Sequence, residues 1–227
     1  MSNLIELKNI SKHYIVNKKS IILRKINFKF KKGLIYSLVG PSGSGKSTLL
    51  NILSLIDRPS SGKILINNNV IEYNNTSKND QLRADKIGII YQQNNLLPDF
   101  NALENVYLAR LAIDNSKEKA IYEATKIIKS FGLSNRLNHF PSELSGGELQ
   151  RIAISRALIN KPEIILADEP TGSIDHATAK EVFKTLYKLK SKSRLIIYAT
   201  HNRLFANMAD CKLEIIDGNI KPSNARK

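Results

Sequence analysis

The sequence predicts an α/β fold with a helical insert, and three observations carry that prediction. Ile35-Tyr36-Ser37-Leu38-Val39 is a short apolar run bounded by Gly33 and Gly40, followed by a glycine-rich loop and a stretch of helical composition from Lys46 to Leu55. From Ala102 to Asn160 the signal is mostly helical. After Pro162 strands and helices alternate again. Alternation interrupted by a helical block argues for an α/β core with a helical subdomain, here residues 93–160 within a single domain spanning 1–227.

Taken in order, Leu4 to Ile10 reads as an early strand and Ile22 to Phe30 as a partly alternating one near an edge. Ile35 to Val39 has the length and composition of a buried strand. The helix from Lys46 stops before Asp57-Arg58-Pro59. Ile64-Leu65-Ile66 and Val70-Ile71 flank Asn67-Asn68-Asn69 as a hairpin, and the polar stretch Tyr73 to Asp80 reads as loop. Ile87 to Tyr91 is a further strand. Ala120, Ala124, Ile127, Ile128 and Phe131 recur at helical spacing, and Gly132 is a natural stop. Strands at Ile164–Ala167 and Leu195–Ala199 enclose a helix over Ala177–Lys192. A short helix from Asn202, a strand at Leu213–Ile216 and the turn Asp217-Gly218-Asn219 complete the series.

Composition bounds the function. The 227 residues are 42% hydrophobic and 24% charged, an ordinary globular mix that excludes collagen, coiled coil and extended disorder. No apolar run approaches the roughly 18–20 residues that span a bilayer. The first residues lack a basic segment followed by an apolar one, so no secretion signal is expected. The single cysteine, Cys211, fits a reducing compartment. A soluble cytoplasmic protein is expected. The net charge of +15 favours anionic partners. Yet lysine, isoleucine and asparagine, all with A/T-rich codons, are abundant together. The lysines are scattered through positions 29–32, 188–194 and 221–227, without interleaved aromatics, so no specific nucleic-acid partner is expected.

Three stretches carry chemistry. Gly40-Pro41-Ser42-Gly43-Ser44-Gly45-Lys46-Ser47 fits the phosphate-binding pattern G-x-x-x-x-G-K-[ST] between a strand and a helix, and Thr48 follows it. Glycines let several backbone N–H groups converge on one phosphate chain, and the helix adds its positive end. Lys46 would reach the β- and γ-phosphates, and Ser47 would ligate magnesium. Ile164-Ile165-Leu166-Ala167-Asp168-Glu169 is an apolar strand ending in two carboxylates. Asp168 would hold Mg2+, and Glu169 would polarise the attacking water. Leu144-Ser145-Gly146-Gly147-Glu148-Leu149-Gln150-Arg151 opens a helix with a Ser145–Glu148 capping box. The adjacent glycines Gly146 and Gly147 are not needed for that cap. They offer bare N–H groups, a second anion site that would serve another copy of the chain.

In chain order, with Gly40–Ser47 first, then Gln92, Leu144–Arg151, Ile164–Glu169 and His201, these motifs resemble the ATPase subunits of ABC transporters. The match runs from about Leu4 to Gly218. It is most similar to the lipoprotein-releasing LolD group, with macrolide-exporter and cell-division relatives nearby. The supporting text is Ile90-Tyr91-Gln92-Gln93, Leu96-Leu97-Pro98-Asp99-Phe100, Ala102-Leu103-Glu104-Asn105-Val106, Ala167-Asp168-Glu169-Pro170-Thr171-Gly172 and Ala199-Thr200-His201-Asn202.

The resemblance implies a P-loop NTPase core with an antiparallel β subdomain and a helical insert. It also implies roles: Tyr14 stacking on adenine; Gln92 touching magnesium and linking to a membrane subunit; Ser145, Gly146 and Gly147 closing on the partner's γ-phosphate; Asp175 crossing between subunits; His201 beside the γ-phosphate. Leu149 and Ser173-Ile174 depart from the usual pattern without removing a catalytic group. Gly33-Leu34 lacks an acidic residue often found there. His13, His139 and His176 match no site.

The implied activity is hydrolysis of ATP by a head-to-tail homodimer, with integral membrane permease subunits of LolC/LolE type as partners. Leu96, Leu97 and Phe100 would offer them apolar contact or pack within the insert. The implied place is the cytoplasmic face of the inner membrane, and the implied cargo is lipoprotein bound for the outer membrane. A macrolide-type exporter or cell-division ATPase is the nearby alternative. A nucleic-acid-associated ABC ATPase usually carries paired cassettes, coiled-coil inserts or zinc motifs, all absent from this sequence. A GTP switch would need Asn-Lys-x-Asp where Asn160-Lys161-Pro162-Glu163 ends in Glu.

Overall fold

The computed structural model describes residues 2–16, 18–172 and 174–223, in which two long antiparallel strands, β1 (Asn3–Val16) and β2 (Lys18–Lys31), open the chain. Both run further than the alternation in the sequence suggests. Their pairing contains several register shifts, and these bulges scramble a strict period of two. Ser173, in the expected departure Ser173-Ile174, lies outside the described residues, as does the end of the basic tail at 224–227.

The described residues form two compact units. The first holds residues up to 80, then 166–169, then those from 190 onward. Its antiparallel sheet has the order β2-β1-β4-β5, with β4 at Ser61–Ile66 and β5 at Asn69–Val70. Asn67 (φ 49) and Asn68 (φ 65) make the connecting two-residue turn, both in the left-handed region that a tight hairpin demands. Leu4, Ile5, Leu7, Ile10 and Ile64 of this sheet are fully buried.

A second sheet in the same unit centres on β3 (Ile35–Val39), which runs parallel to β8 (Leu195–Ala199) on one side and β9 (Cys211–Ile216) on the other. β10 (Asn219–Ser223) covers β9 antiparallel, and β7 (Ile164–Asp168) lies beside β8. Helix α1 (Lys46–Leu53) buries Leu49, Leu50, Ile52 and Leu53. The short α7 (Arg203–Ala206) follows β8, capped by Asn202 as the sequence suggests.

The stretch Tyr73 to Asp80, expected to be loop, is corrected by the structure: α2 spans Thr76–Lys86. This helix buries almost nothing apolar, so no periodic signal announces it. Polar bonds hold its start, with the Lys78 N–H donating to Asn75 Oδ1 at 3.0 Å and Asn79 Nδ2 to the Glu72 carbonyl at 3.0 Å.

The second unit, residues 81–165 and 170–189, contains β6 (Ile87–Ile90), α3 (Ala102–Leu111), α4 (Lys117–Ser130), α5 (Gly146–Leu158) and α6 (His176–Lys188). Ala120, Ala124 and Ile128 of α4 pack with Val106 of α3 and Ile152 of α5 in one apolar cluster. Gly132, at φ 76, ends α4 as expected. Helix α6 stops at Lys188, short of the expected Lys192. Among the described residues no helix is long and apolar enough to cross a membrane.

Candidate active site

In the first unit the phosphate-loop sequence forms a closed backbone curl between β3 and α1. Gly40, at φ 149, admits no other residue, because a Cβ there would stand 2.5 Å from the Ile215 carbonyl oxygen of neighbouring β9. Lys46 folds back over the loop and donates from Nζ to the carbonyls of Gly40 at 2.9 Å and Pro41 at 3.0 Å. Its ammonium is therefore held at the loop's centre.

Helix α1 begins at Gly45 with no side-chain cap and no acidic residue in its first turn. By contrast α3, α5 and α6 are each capped by a side chain at their N-termini. An uncapped helix start leaves orphan N–H donors and the positive end of the dipole facing outward. The Ser44 hydroxyl is buried and finds no hydrogen-bond partner. Backbone donors, an orphan hydroxyl and a fixed cation together fit a chain of phosphates.

Beside this loop, in the same unit, lie the carboxyl ends of two more strands. Ile164 to Ala167 are almost wholly buried, and Asp168 emerges half-buried at the end of β7. Glu169 follows at φ 44, a left-handed conformation rare for a residue bearing a Cβ. Its N–H donates to the Ala199 carbonyl at 3.1 Å, fixing the end of β7 to the end of β8. The Glu169 Oε2 atom stands 2.9 Å from His201 Nδ1 and accepts the His201 N–H at 3.3 Å. The structure thus brings the two expected catalytic residues, Glu169 and His201, into direct contact. Ser47 is exposed near the start of α1, an oxygen donor like Asp168.

Tyr14 is 42% exposed at the end of β1 and part of a built cluster. Its phenol donates to Asp57 Oδ2 at 3.0 Å. Lys12, 7% exposed, donates to Asp57 Oδ1 at 2.6 Å and to the Arg58 carbonyl at 2.9 Å, and its Nζ stands 4.8 Å from the centre of the Tyr14 ring. Partial burial pushes the Asp57 carboxyl up, but the hydrogen bonds from Lys12, Tyr14 and the Arg58 N–H outweigh it and hold it below its usual range. Sequence reasoning missed Lys12 and Asp57. Lys12, two residues before Tyr14 on the same strand face, was the available signal.

In the second unit the Leu144–Arg151 stretch opens α5. The Ser145 Oγ accepts the Glu148 N–H at 3.3 Å, and Glu148 Oε2 accepts the Ser145 N–H at 2.9 Å, the reciprocal cap expected from the spacing. Arg136 Nε adds a 2.8 Å bond to Glu148 Oε1 and, with the backbone N–H of Ser145, holds the carboxyl down to about 2.

The twin glycines have a structural role as well. A Cβ on Gly147 would stand 2.5 Å from Thr178 Cγ2 of α6, and one on Gly146 would stand 3.3 Å from Ile174 Cγ2. Asp175 caps α6, with Oδ1 accepting the N–H groups of Ala177 at 3.0 Å and Thr178 at 3.1 Å. Gln92 follows β6, and a Cβ on Gly172 would stand 2.8 Å from its Nε2. Of the apolar trio, Leu96 packs on the helical cluster, while Leu97 and Phe100 stay 46% and 37% exposed. Sequence reasoning also missed what holds their loop. Buried Asn105 accepts the Leu97 N–H at 2.7 Å and donates to the carbonyls of Leu97, Phe100 and Asn101, while Arg156 donates to the carbonyls of Asn94 and Asn95.

The sequence model of the family described as "ABC transporter" matches residues 23–172. The chain belongs to the ABC transporter ATP-binding family. It is 46% identical to the lipoprotein-releasing system ATP-binding protein LolD of Rickettsia bellii (strain RML369-C), over 92% of this chain and 94% of that one. It is 48% identical to the protein of the same name from Ehrlichia canis (strain Jake), over 94% and 95%. Among solved structures it is similar to the dimeric ATP-binding cassette MJ0796, with a TM-score of 0.90 at 36% identity over 99% and 100% of the two chains. The post-hydrolysis dimer of MJ0796 bound to ADP and Pi gives a TM-score of 0.89 at 35% identity, over 99% and 100%. This ABC ATPase therefore has the fold, the phosphate loop and the activity that its motifs predict: it binds nucleotide and hydrolyses ATP.

Proposed function

We propose that this ABC ATPase powers the release of lipoproteins from the inner membrane toward the outer membrane. The observation that carries the reading is the similarity, at 46% and 48% over more than nine-tenths of both chains, to proteins named for that task. In this reading the two units work as one ATP-binding domain. Two copies act head to tail at the cytoplasmic face of the inner membrane, with permease subunits of LolC/LolE type. The exposed Leu97 and Phe100 are suited to apolar contact with such a subunit.

Within the site, the loop N–H groups and Lys46 bind and orient the triphosphate. Tyr14 takes the base. Ser145, Gly146 and Gly147 of one copy close on the γ-phosphate held by the other. Glu169, steadied by His201, accepts a proton from water as the water oxygen bonds to the γ-phosphorus and the bond to the β-phosphate bridging oxygen breaks. The products are ADP and phosphate.

Magnesium fits the residues present. Among the described residues no cluster of three metal-ligating acidic, histidine or cysteine side chains exists, and a magnesium ion bound with phosphates needs only one or two protein oxygens. Ser47 and Asp168 would supply them, and the ion would neutralise charge developing on the phosphates. The departure of the γ-phosphate removes the charge joining the two copies, and their opening is the stroke passed to the permease.

Purification in mild detergent followed by mass spectrometry tests the cargo reading. Recovery of a permease with a large periplasmic domain, with lipoproteins released from proteoliposomes on ATP addition, is the expected result. Recovery of a regulator of cell-wall hydrolases in its place overturns it.

A further inference from the structure

We propose that Asp57 and Lys12 are positioning residues for the nucleotide base: they lock the Tyr14 ring in place, with a cation over the ring, and tie it to the phosphate loop. The inference rests on the reading of Tyr14 as the base contact and goes beyond it, because nothing about that contact requires the other two residues.

The geometry is specific. Asp57 uses its two carboxylate oxygens for different partners, Oδ1 for Lys12 Nζ at 2.6 Å and Oδ2 for the Tyr14 phenol at 3.0 Å. The Arg58 N–H donates to Oδ1 at 2.7 Å and keeps the carboxylate from turning. Lys12 is buried, an unusual state for a lysine unless it is paired, and here it meets Asp57 and a backbone carbonyl. From that position its ammonium stands 4.8 Å from the ring centre, within cation–π range. A phenol held at its oxygen cannot swing away from the strand, so the ring's place is set before any ligand arrives. Stacking on a ring already in place avoids the ordering cost that a free tyrosine would incur.

The third tether matters most for nucleotide binding. Asp57, which holds the phenol, donates its own N–H to the carbonyl of Asn51 on α1 at 3.1 Å. The ring that takes the base and the helix whose start takes the phosphates are therefore joined through Asp57. Both lie in the first unit, so the ring and the helix start are tied within one compact body.

The test compares two ligands, ATP and inorganic tripolyphosphate, by calorimetry with magnesium on the full chain. Tyr14→Phe keeps the ring and leaves the buried Lys12–Asp57 pair intact, so it is the variant least prone to unfolding. It should weaken ATP binding by about three- to tenfold, the range for one lost hydrogen-bonded tether, and leave tripolyphosphate unchanged. Lys12→Met, of similar length, should show the same selective loss. Unchanged ATP affinity in both variants overturns the proposal, as does an equal loss for both ligands, which marks a loosened loop. Tyr14→Ala separates the two levels. If it too spares ATP, the base reading itself falls; if it alone loses ATP selectively, only the positioning role falls.

Discussion

In the mechanism proposed above Glu169 is the general base, and two features set it apart from a structural carboxylate. Its backbone sits at φ 44, a left-handed state that costs a residue with a Cβ about 1–3 kcal/mol and persists only where its surroundings enforce it. Its side chain is spent on His201, 74% exposed, where a polar contact stabilises the fold little. Neither feature serves stability, so both point to chemistry. Glu169→Gln keeps the shape and an acceptor for the His201 N–H but cannot take a proton. We expect ATP affinity within about threefold of the parent, and kcat reduced by roughly 10²–10⁴, the usual worth of a positioned general base. Phosphate release measured beside nucleotide titration decides it, and near-normal turnover would remove Glu169 from that role. Ser44 makes a similar point in miniature. A buried hydroxyl without a partner is costly, and the cost is tolerable where a phosphate oxygen completes it.

At the start of α5 two explanations of one sequence compete. Gly146 and Gly147 disfavour a helix by about 1 kcal/mol each relative to alanine, so Gly147→Ala should stabilise if only an open anion site were at stake. The Thr178 methyl reverses that sign. It cannot swing aside, because the Thr178 hydroxyl is held by Asp175 Oδ2 at 2.5 Å, so a new methyl meets it at 2.5 Å. Overpacking of this kind costs about 1–3 kcal/mol. Gly147→Ala should therefore lower stability, and Thr178→Ser, which keeps the hydroxyl and deletes the methyl, should restore it; thermal melting of the four proteins checks both. The adjoining Glu148 supplies a pH signature. Its folded value, about 2, lies below the unfolded value of about 4.3, so its stabilising contribution is complete above the unfolded value and is lost as pH falls toward the folded one. Acid unfolding of Glu148→Gln should be shallower than the parent's between about pH 5 and 2, and identical slopes would deny the Arg136 bond a stabilising role. The capping box was legible because it is local, Ser145 to Glu148 in four residues. The Thr178 clash was not, since it joins positions 31 apart. The same distinction runs through the fold. Apolar runs announced β3, β7 and β8, whereas α2, held by Asn75 and Asn79, and β10, an edge strand containing Pro222, lack any apolar periodicity to read. Asn105 stands within the Ala102–Val106 motif, but its burial and four bonds to the loop belong to tertiary structure alone.

The +15 charge bears on how whole chains meet. Two identical copies carry 30 net positive charges between them before any nucleotide binds, so long-range repulsion opposes their approach. Each ATP with one magnesium ion adds about two negative charges, too few to cancel that field, and closure must rely on short-range bonds at the phosphate. The two terms respond differently to salt. At about 0.1 M the Debye length is near 10 Å, so added salt removes the repulsion between distant lysines and leaves desolvated contacts at the γ-phosphate largely intact. A complex joined by opposite surface charges, the other way a basic protein associates, behaves in the reverse sense. Glu169→Gln saturated with magnesium and ATP should be dimeric in light scattering, and its dissociation constant should fall as salt rises from about 0.05 to 0.3 M. ADP should leave it monomeric at every salt concentration, because the bridging phosphate is gone. A dimer that loosens with salt would place acidic–basic surface contacts, not the triphosphate, at the centre of association, and a chain that stays monomeric with ATP would remove the paired site altogether.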